Sequence, residues 1–182
     1  WNWAAVTQTA FETLRSCLIS PPMLAYADFS KPFILNIDAS GVGLGAVLHQ
    51  EVEGGERVVA YASRGLRPSE RNYAAHKLEF LSLKWAIVDK FHDYLYGNQF
   101  KVRTNSNPLT YVFSSAKLDA MSHRWLAALS AYNFSIYYRS GKLNVDANIL
   151  SRLPEVTLDC QEQVFFPDVI KAICQPMLCI IE

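Results

Sequence analysis

The stretch from Phe33 to Leu48, "FILNIDASGVGLGAVL", decides the fold. Its opening residues are almost wholly apolar and read as a largely buried strand that closes on a single acid, Asp38. Gly41-Val-Gly-Leu-Gly45 then reads as a tight turn, and Ala46 to Val52 as a second strand running back beside the first. The glycines also invite a phosphate-loop reading. That reading is weak, because a strand follows Gly45 and no helix amino end is there to receive a phosphate.

Working outward, Gly54-Gly55 makes the next turn and Arg57 to Ser63 a third strand, so the first three strands form an antiparallel meander. Beyond Pro68 the period changes. Leu78, Leu81, Trp85, Val88 and Leu95 share one stripe of a long helix that ends near Gly97. Phe100 to Thr104 alternates as a fourth strand, Pro108 opens a short helix, and Met121 to Ala131 forms another with Trp125 and Leu129 facing inward. Phe134 to Tyr138 is a fifth strand, and Val145 to Ser151 makes one or two helical turns before Pro154. Upstream, Ala10, Phe11, Leu14 and Leu18 recur at helical spacing until Pro21-Pro22 stops the helix. After Glu155 no clear periodicity returns until a helical stretch around Val169 to Cys174, and this tail reads as a linker. The order of elements predicts an α/β layout, a mixed sheet with helices on its faces.

A chain of 182 residues with 51% hydrophobic content is long enough for one ordinary domain with a sizeable core and a segment at each end, which excludes disorder throughout. Seventeen basic and seventeen acidic residues balance, so any grip on nucleic acid must come from a local patch rather than from overall field. Cys17, Cys160, Cys174 and Cys179 include no CxxC pair and read as buried or free thiols of a reduced compartment. With no apolar run long enough to span a bilayer, no secretory signal and no initiator Met, the expectation is an intracellular protein, cytoplasmic or nuclear, or an excised piece of one.

Two acids are candidates for chemistry. Asp38 ends the first strand; alone, an Asp before glycines is ordinary turn chemistry. Glu79 lies beside the apolar stripe of the long helix, among Ala75, Ser82 and Ala86; alone, it is a solvated flank residue. A helix packed across the first strand would bring them together, and two carboxylates converging at a strand end suit magnesium, which takes oxygen ligands.

Four ordered motifs carry a resemblance: "FILNIDASGVGLGAVL", "VVAYASRGLRPSERNYAAHKLEFLSLKWAI", "FKVRTNSNPLTYV" and "YYRSGKLNVDANILSRLP". From about Pro21 to Pro154 the chain closely resembles the RNase H domain of reverse transcriptase in the Pol polyproteins of gypsy-type LTR retroelements. The resemblance implies an RNase H-like fold, a five-stranded mixed sheet with three antiparallel strands first. It also implies a two-metal mechanism that cuts the RNA strand of an RNA/DNA hybrid, with four carboxylates holding two magnesium ions. Residues 1–32 then look like a connection from reverse transcriptase, 33–154 like the RNase H-like domain, and 155–182 like a linker toward an integrase region. Carried over by motif, the first two carboxylates fall on Asp38 and Glu79. The third falls on Asn105 and the fourth on Asn148, where the family pattern has Asp.

A unit charge pair at 4 Å is worth ~4 kcal/mol at an effective dielectric near 20, and a divalent ion roughly doubles that before desolvation. A site with two negative charges instead of four is therefore expected to hold magnesium poorly and to cut weakly or not at all. Asp146 does not replace the lost acid if its segment is helical, because two positions before Asn148 is about 200° around the axis. His123, beside Arg124-Trp125, reads as a packing-helix residue. Arg64, Arg67, Arg71 and Lys77 ahead of and along the long helix, with Arg139, Lys142 and Arg152 around the fourth motif, are candidates to hold a hybrid or other nucleic acid through phosphates and sugar hydroxyls. Their alternative is an ordinary solvated surface. Two functional readings stand: a disabled nuclease scaffold kept as a structural or hybrid-binding module, and an active magnesium-dependent ribonuclease H tolerant of these changes. A third reading takes the two Asn as laboratory substitutions made to trap a substrate; against it, Ser106 and Ile149, also atypical for the family, favour drift or domestication.

Overall fold

Strand β1 (Phe33–Ala39) is the middle of the sheet in the computed structural model, which describes residues 3–19, 24–52, 54–107, 109 and 118–152. On one side β2 (Gly43–Val52) pairs with it antiparallel, and β3 (Gly55–Gly65) pairs antiparallel with β2. On the other side β4 (Gln99–Thr104) and then β5 (Asn133–Tyr138) run parallel to it, giving the order β3-β2-β1-β4-β5. This is the mixed five-stranded sheet expected, with its meander first.

One face of the sheet carries the apolar core. Phe33, Leu35 and Ile37 alternate onto it and pack with Leu44, Leu48, Val102 and the buried side of α2 (Ala75–Lys84). The expected single helix from Leu78 to Leu95 is instead segmented. Beyond α2 the chain widens into a π-helical stretch, Trp85–Lys90, breaks at Phe91, and resumes as α3 (His92–Leu95). The Phe91 N–H reaches back to the carbonyl of Ala86, five residues earlier, and the wider turn lets Leu83, Ile87, Phe91 and Leu95 all be fully buried. Helix α4 (Ala120–Leu129) is capped by Asp119, whose side chain accepts from the Ser122 N–H, and it packs Trp125 edge-on against Phe80 at 5.5 Å.

At the amino end, α1 (Ala5–Ile19) leaves Val6 81% and Leu14 67% exposed. Cys17 is an exposed free thiol. Pro21-Pro22, the Pro108 helix start, the tail with its helical stretch, and Cys160, Cys174 and Cys179 lie outside the described residues.

The second face is covered by α5 (Val145–Ser151), and here the reading of the glycines is corrected. Gly43 and Gly45 are not turn residues but paired members of β2; the turn is only Ser40 to Val42, closed by the Ser40 N–H on the Gly43 carbonyl. Their service is closeness. A Cβ on Gly45 would stand 2.3 Å from the Ala147 carbonyl oxygen and 2.6 Å from the Ser151 nitrogen, and one on Gly43 would stand 2.9 Å from the Ser151 oxygen. So near the sheet, α5 is tied by hydrogen bonds: Asn144 Nδ2 to the Ile37 carbonyl (2.9 Å), Ser63 Oγ to that of Leu150 (2.6 Å), and Ser40 Oγ to that of Ser151 (2.5 Å). Gly45→Ala is expected to destabilise the protein by roughly 1–3 kcal/mol, because the clash is with helix backbone rather than with a side chain that can swing aside. Urea unfolding with an unchanged m-value checks this.

Candidate nucleic-acid interface and strand-end carboxylates

The pairing of β1 with β4 ends at Ile37 and Thr104, so Asp38 and Asn105 are the next residues of adjacent parallel strands. Asn105 Nδ2 donates to Asp38 Oδ1 at 2.6 Å. On the other side, Ser151 Oγ donates to Asp38 Oδ2 at 2.5 Å, and Ser82 Oγ from α2 donates to the Asp38 backbone carbonyl at 3.1 Å. Asp38 is 1% exposed. Burial pushes its carboxyl above the usual range, opposed by the bonds from Ser151 and Asn105 and by the charge of Arg152.

Glu79 sits one turn before Ser82 on α2 and therefore faces the same strand end. It accepts from the Ala39 N–H, while its Oε2 is buried with no hydrogen-bond partner. Burial first, and then the negative charge of Asp38, push it up to about 8. It is not the solvated flank residue its position alone suggests, since the helix stripe is broader than the apolar residues that mark it.

Asn148 is half-buried on α5, and its carbonyl lies 2.9 Å from Ser151 Oγ. The residue by which α5 reaches Asp38 is Ser151, which sequence reasoning passed over. Its signal was available: three residues after Asn148 in a helix is the same face. Asp146 is turned elsewhere, to His49 Nε2 (3.1 Å), Asn36 Nδ2 (3.2 Å) and the Ala147 N–H (2.9 Å). Burial raises it, but the bonds from His49 and Ala147 outweigh that and hold it at about 2. Among the described residues, no three His, Cys, Asp or Glu side chains gather as a metal-binding group.

The basic candidates divide. Arg64 grips both oxygens of Glu70, at 2.7 and 3.1 Å, and lies over the Trp85 ring. Lys77 is paired with Asp119 and stands 4.5 Å above the Tyr73 ring. Both are engaged within the molecule. Arg67, Arg71, Lys142 and Arg152 are exposed and Arg139 is half-buried, its charge acting on Glu56. His123 is exposed on α4. No helix among the described residues is long and apolar enough to cross a membrane.

A family model for the RNase H-like domain found in reverse transcriptase matches residues 28–132. Strand β5 and α5 lie beyond that match; β5 is the last strand of the same sheet, and α5 packs over β2. The retrovirus-related Pol polyprotein of transposon opus from Drosophila melanogaster is 42% identical over 146 residues, 80% of this chain and 14% of its own length. That of transposon gypsy from the same organism is 38% identical over 147 residues, with the same coverage. The chain thus spans about one seventh of these relatives. In fold, it is similar to a mutant prototype foamy virus protease-reverse transcriptase, with TM-score 0.62 and 14% identity over 90% of this chain and 22% of that one. A foamy viral protease-reverse transcriptase solved in complex with RNA/DNA hybrid gives TM-score 0.54 and 19% identity over the same shares.

The raised Glu79 carboxyl has a pH consequence. Its folded value, about 8, lies above its ordinary 4.5, so the folded state binds this proton more tightly than the unfolded state does. Stability is therefore expected to fall as pH rises from about 4.5 to about 8, by at most ~1.4 kcal/mol per pH unit. Glu79→Gln should flatten that slope, leaving only the share of Asp38; urea unfolding across the window checks it, and equal slopes in both proteins would contradict it.

Proposed function

The chain belongs to the family of RNase H-like domains found in reverse transcriptase, in the form carried by gypsy-type LTR retroelement Pol polyproteins, and on that premise we propose that it is a scaffold of this kind with a disabled nuclease site, serving as a structural or hybrid-binding module. The observation that carries this reading is the state of Asp38. Both of its oxygens accept short hydrogen bonds, from Asn105 and Ser151, where the family would set a cation among acids.

Magnesium is the metal the family implies, and the donor set here does not fit a pair of such ions. Two carboxylates converge instead of four, and one of them already accepts hydrogen bonds on both oxygens. Asparagine offers a carbonyl oxygen but no charge, so it supplies neither the attraction nor the neutralisation that a divalent ion needs at ordinary concentration. No cleavage step is derived for this chain. With labelled RNA/DNA hybrid in magnesium or manganese, the unmodified protein is expected to cut at least about a hundredfold more slowly than the Asn105→Asp, Asn148→Asp double variant, a gap of ~2.7 kcal/mol in barrier. Comparable cutting by the two would support the alternative, an active ribonuclease H.

Hybrid binding, in this reading, falls to Arg67, Lys142 and Arg152, with Arg139 at the margin, through phosphates and 2′-hydroxyls. Arg64 and Lys77 serve the fold, since moving either to a phosphate would break an ion pair already made. Residues 1–32 connect to a polymerase region and 155–182 lead toward an integrase region, in keeping with the small share of the polyprotein relatives that this chain spans. Titration of a hybrid at two salt concentrations should give an affinity that drops with salt, and a Lys142→Ala, Arg152→Ala variant should lower the log–log slope by roughly 1–2. Binding that is absent or indifferent to salt leaves the structural role alone.

A further inference from the structure

We propose that Asn105 and Ser151 stand in for a cation at Asp38, so that the junction of β1, β4 and α5 is held without divalent metal. A carboxylate 1% exposed must have its charge met by partners, because leaving either oxygen bare costs a buried group its full desolvation penalty. Each oxygen has one. The donors come from different elements, Asn105 from the end of β4 and Ser151 from the end of α5, at 2.6 and 2.5 Å. Ser82 of α2 adds a bond to the backbone carbonyl of the same residue. Asp38 is thus the point at which three elements are tied to β1, and the tie needs nothing from solution.

The geometry also says what an acid at position 105 would do. It would replace an N–H donor by an oxygen within hydrogen-bond distance of Asp38, with Glu79 already near enough for the Asp38 charge to raise it. Like charges so placed at low exposure cannot all ionise unless a cation joins them. Asn105 is in this sense a positioning residue: it acts through Asp38 on the seating of β4 and α5.

The test is thermal unfolding of the full chain in EDTA and in millimolar magnesium, for the unmodified protein, Asn105→Asp and Asn105→Ala. The unmodified protein is expected to melt at the same temperature in both. Asn105→Asp should melt roughly 4 °C or more lower in EDTA and recover in magnesium, or fold only when magnesium is present. Asn105→Ala loses the donor without adding charge and should melt lower in both conditions, with no recovery. Asn105→Asp as stable as the unmodified protein in EDTA, or equally low with and without magnesium, would overturn the proposal. So would a rise in the unmodified protein's melting temperature with magnesium matching that of Asn105→Asp. The inference is separable from the disabled-nuclease reading: cutting of hybrid by the unmodified chain would sink that reading alone, whereas metal-dependent melting would sink this one.

Discussion

The close approach of α5 to the sheet is the constraint on which the strand end depends. Over Gly43 and Gly45 there is no room for a Cβ, so apolar side chains cannot glue the helix to β2 as they glue α2 to the other face. Hydrogen bonds take their place, from Asn144, Ser63 and Ser40 to backbone carbonyls. The same closeness brings Ser151 within reach of Asp38. A helix one side chain farther away would leave that carboxylate buried with an empty oxygen.

The molecule sorts its acids by environment. Asp38 and Glu79 share a buried corner in which burial pushes both carboxyls up, Glu79 the further because the charge of Asp38 adds to it. Asp146, on the same short helix as Ser151, is held ionised by His49, Asn36 and its own helix amide, and so secures the start of α5 while Ser151 secures its end. Nearby, Arg103 from β4 grips Glu56 of β3 with two bonds of 2.7 and 2.6 Å, so the second face is tied by polar pairs along its length. Asp146 is therefore no substitute for an acid at position 148, because His49 and Asn36 already hold its carboxylate.

Much of the architecture was legible in the residues. The alternation or apolar runs of β1, β3, β4 and β5, and the short helix from Val145 to Ser151, fall close to where pattern places them. The failures share a cause. Gly43 and Gly45 look like a turn to a reader of neighbours along the chain, and only the helix arriving a hundred residues later explains them as strand. The break at Phe91 follows from core shape rather than from any Pro or Gly. Arg64 and Lys77 look free because Glu70 and Asp119 become their partners only through folding. Asn105 was placed at its strand end from the motif, but its bond to Asp38 needs the parallel register of β1 and β4, which local pattern does not contain. Ser151 carries no signal of its own in the local pattern, and it reaches Asp38 only once α5 is seated on the sheet, one helical turn after Asn148.

What distinguishes this strand end from a cation-binding one is that its central carboxylate is already satisfied from within. The most direct measurement is a magnesium titration of the unmodified protein followed by nuclear magnetic resonance, reading the backbone amides of Asp38, Ala39, Asn105 and Ser151. The expected result is small shifts that grow linearly into the millimolar range, as for unspecific screening. Saturable shifts centred on these four residues at submillimolar magnesium would contradict it.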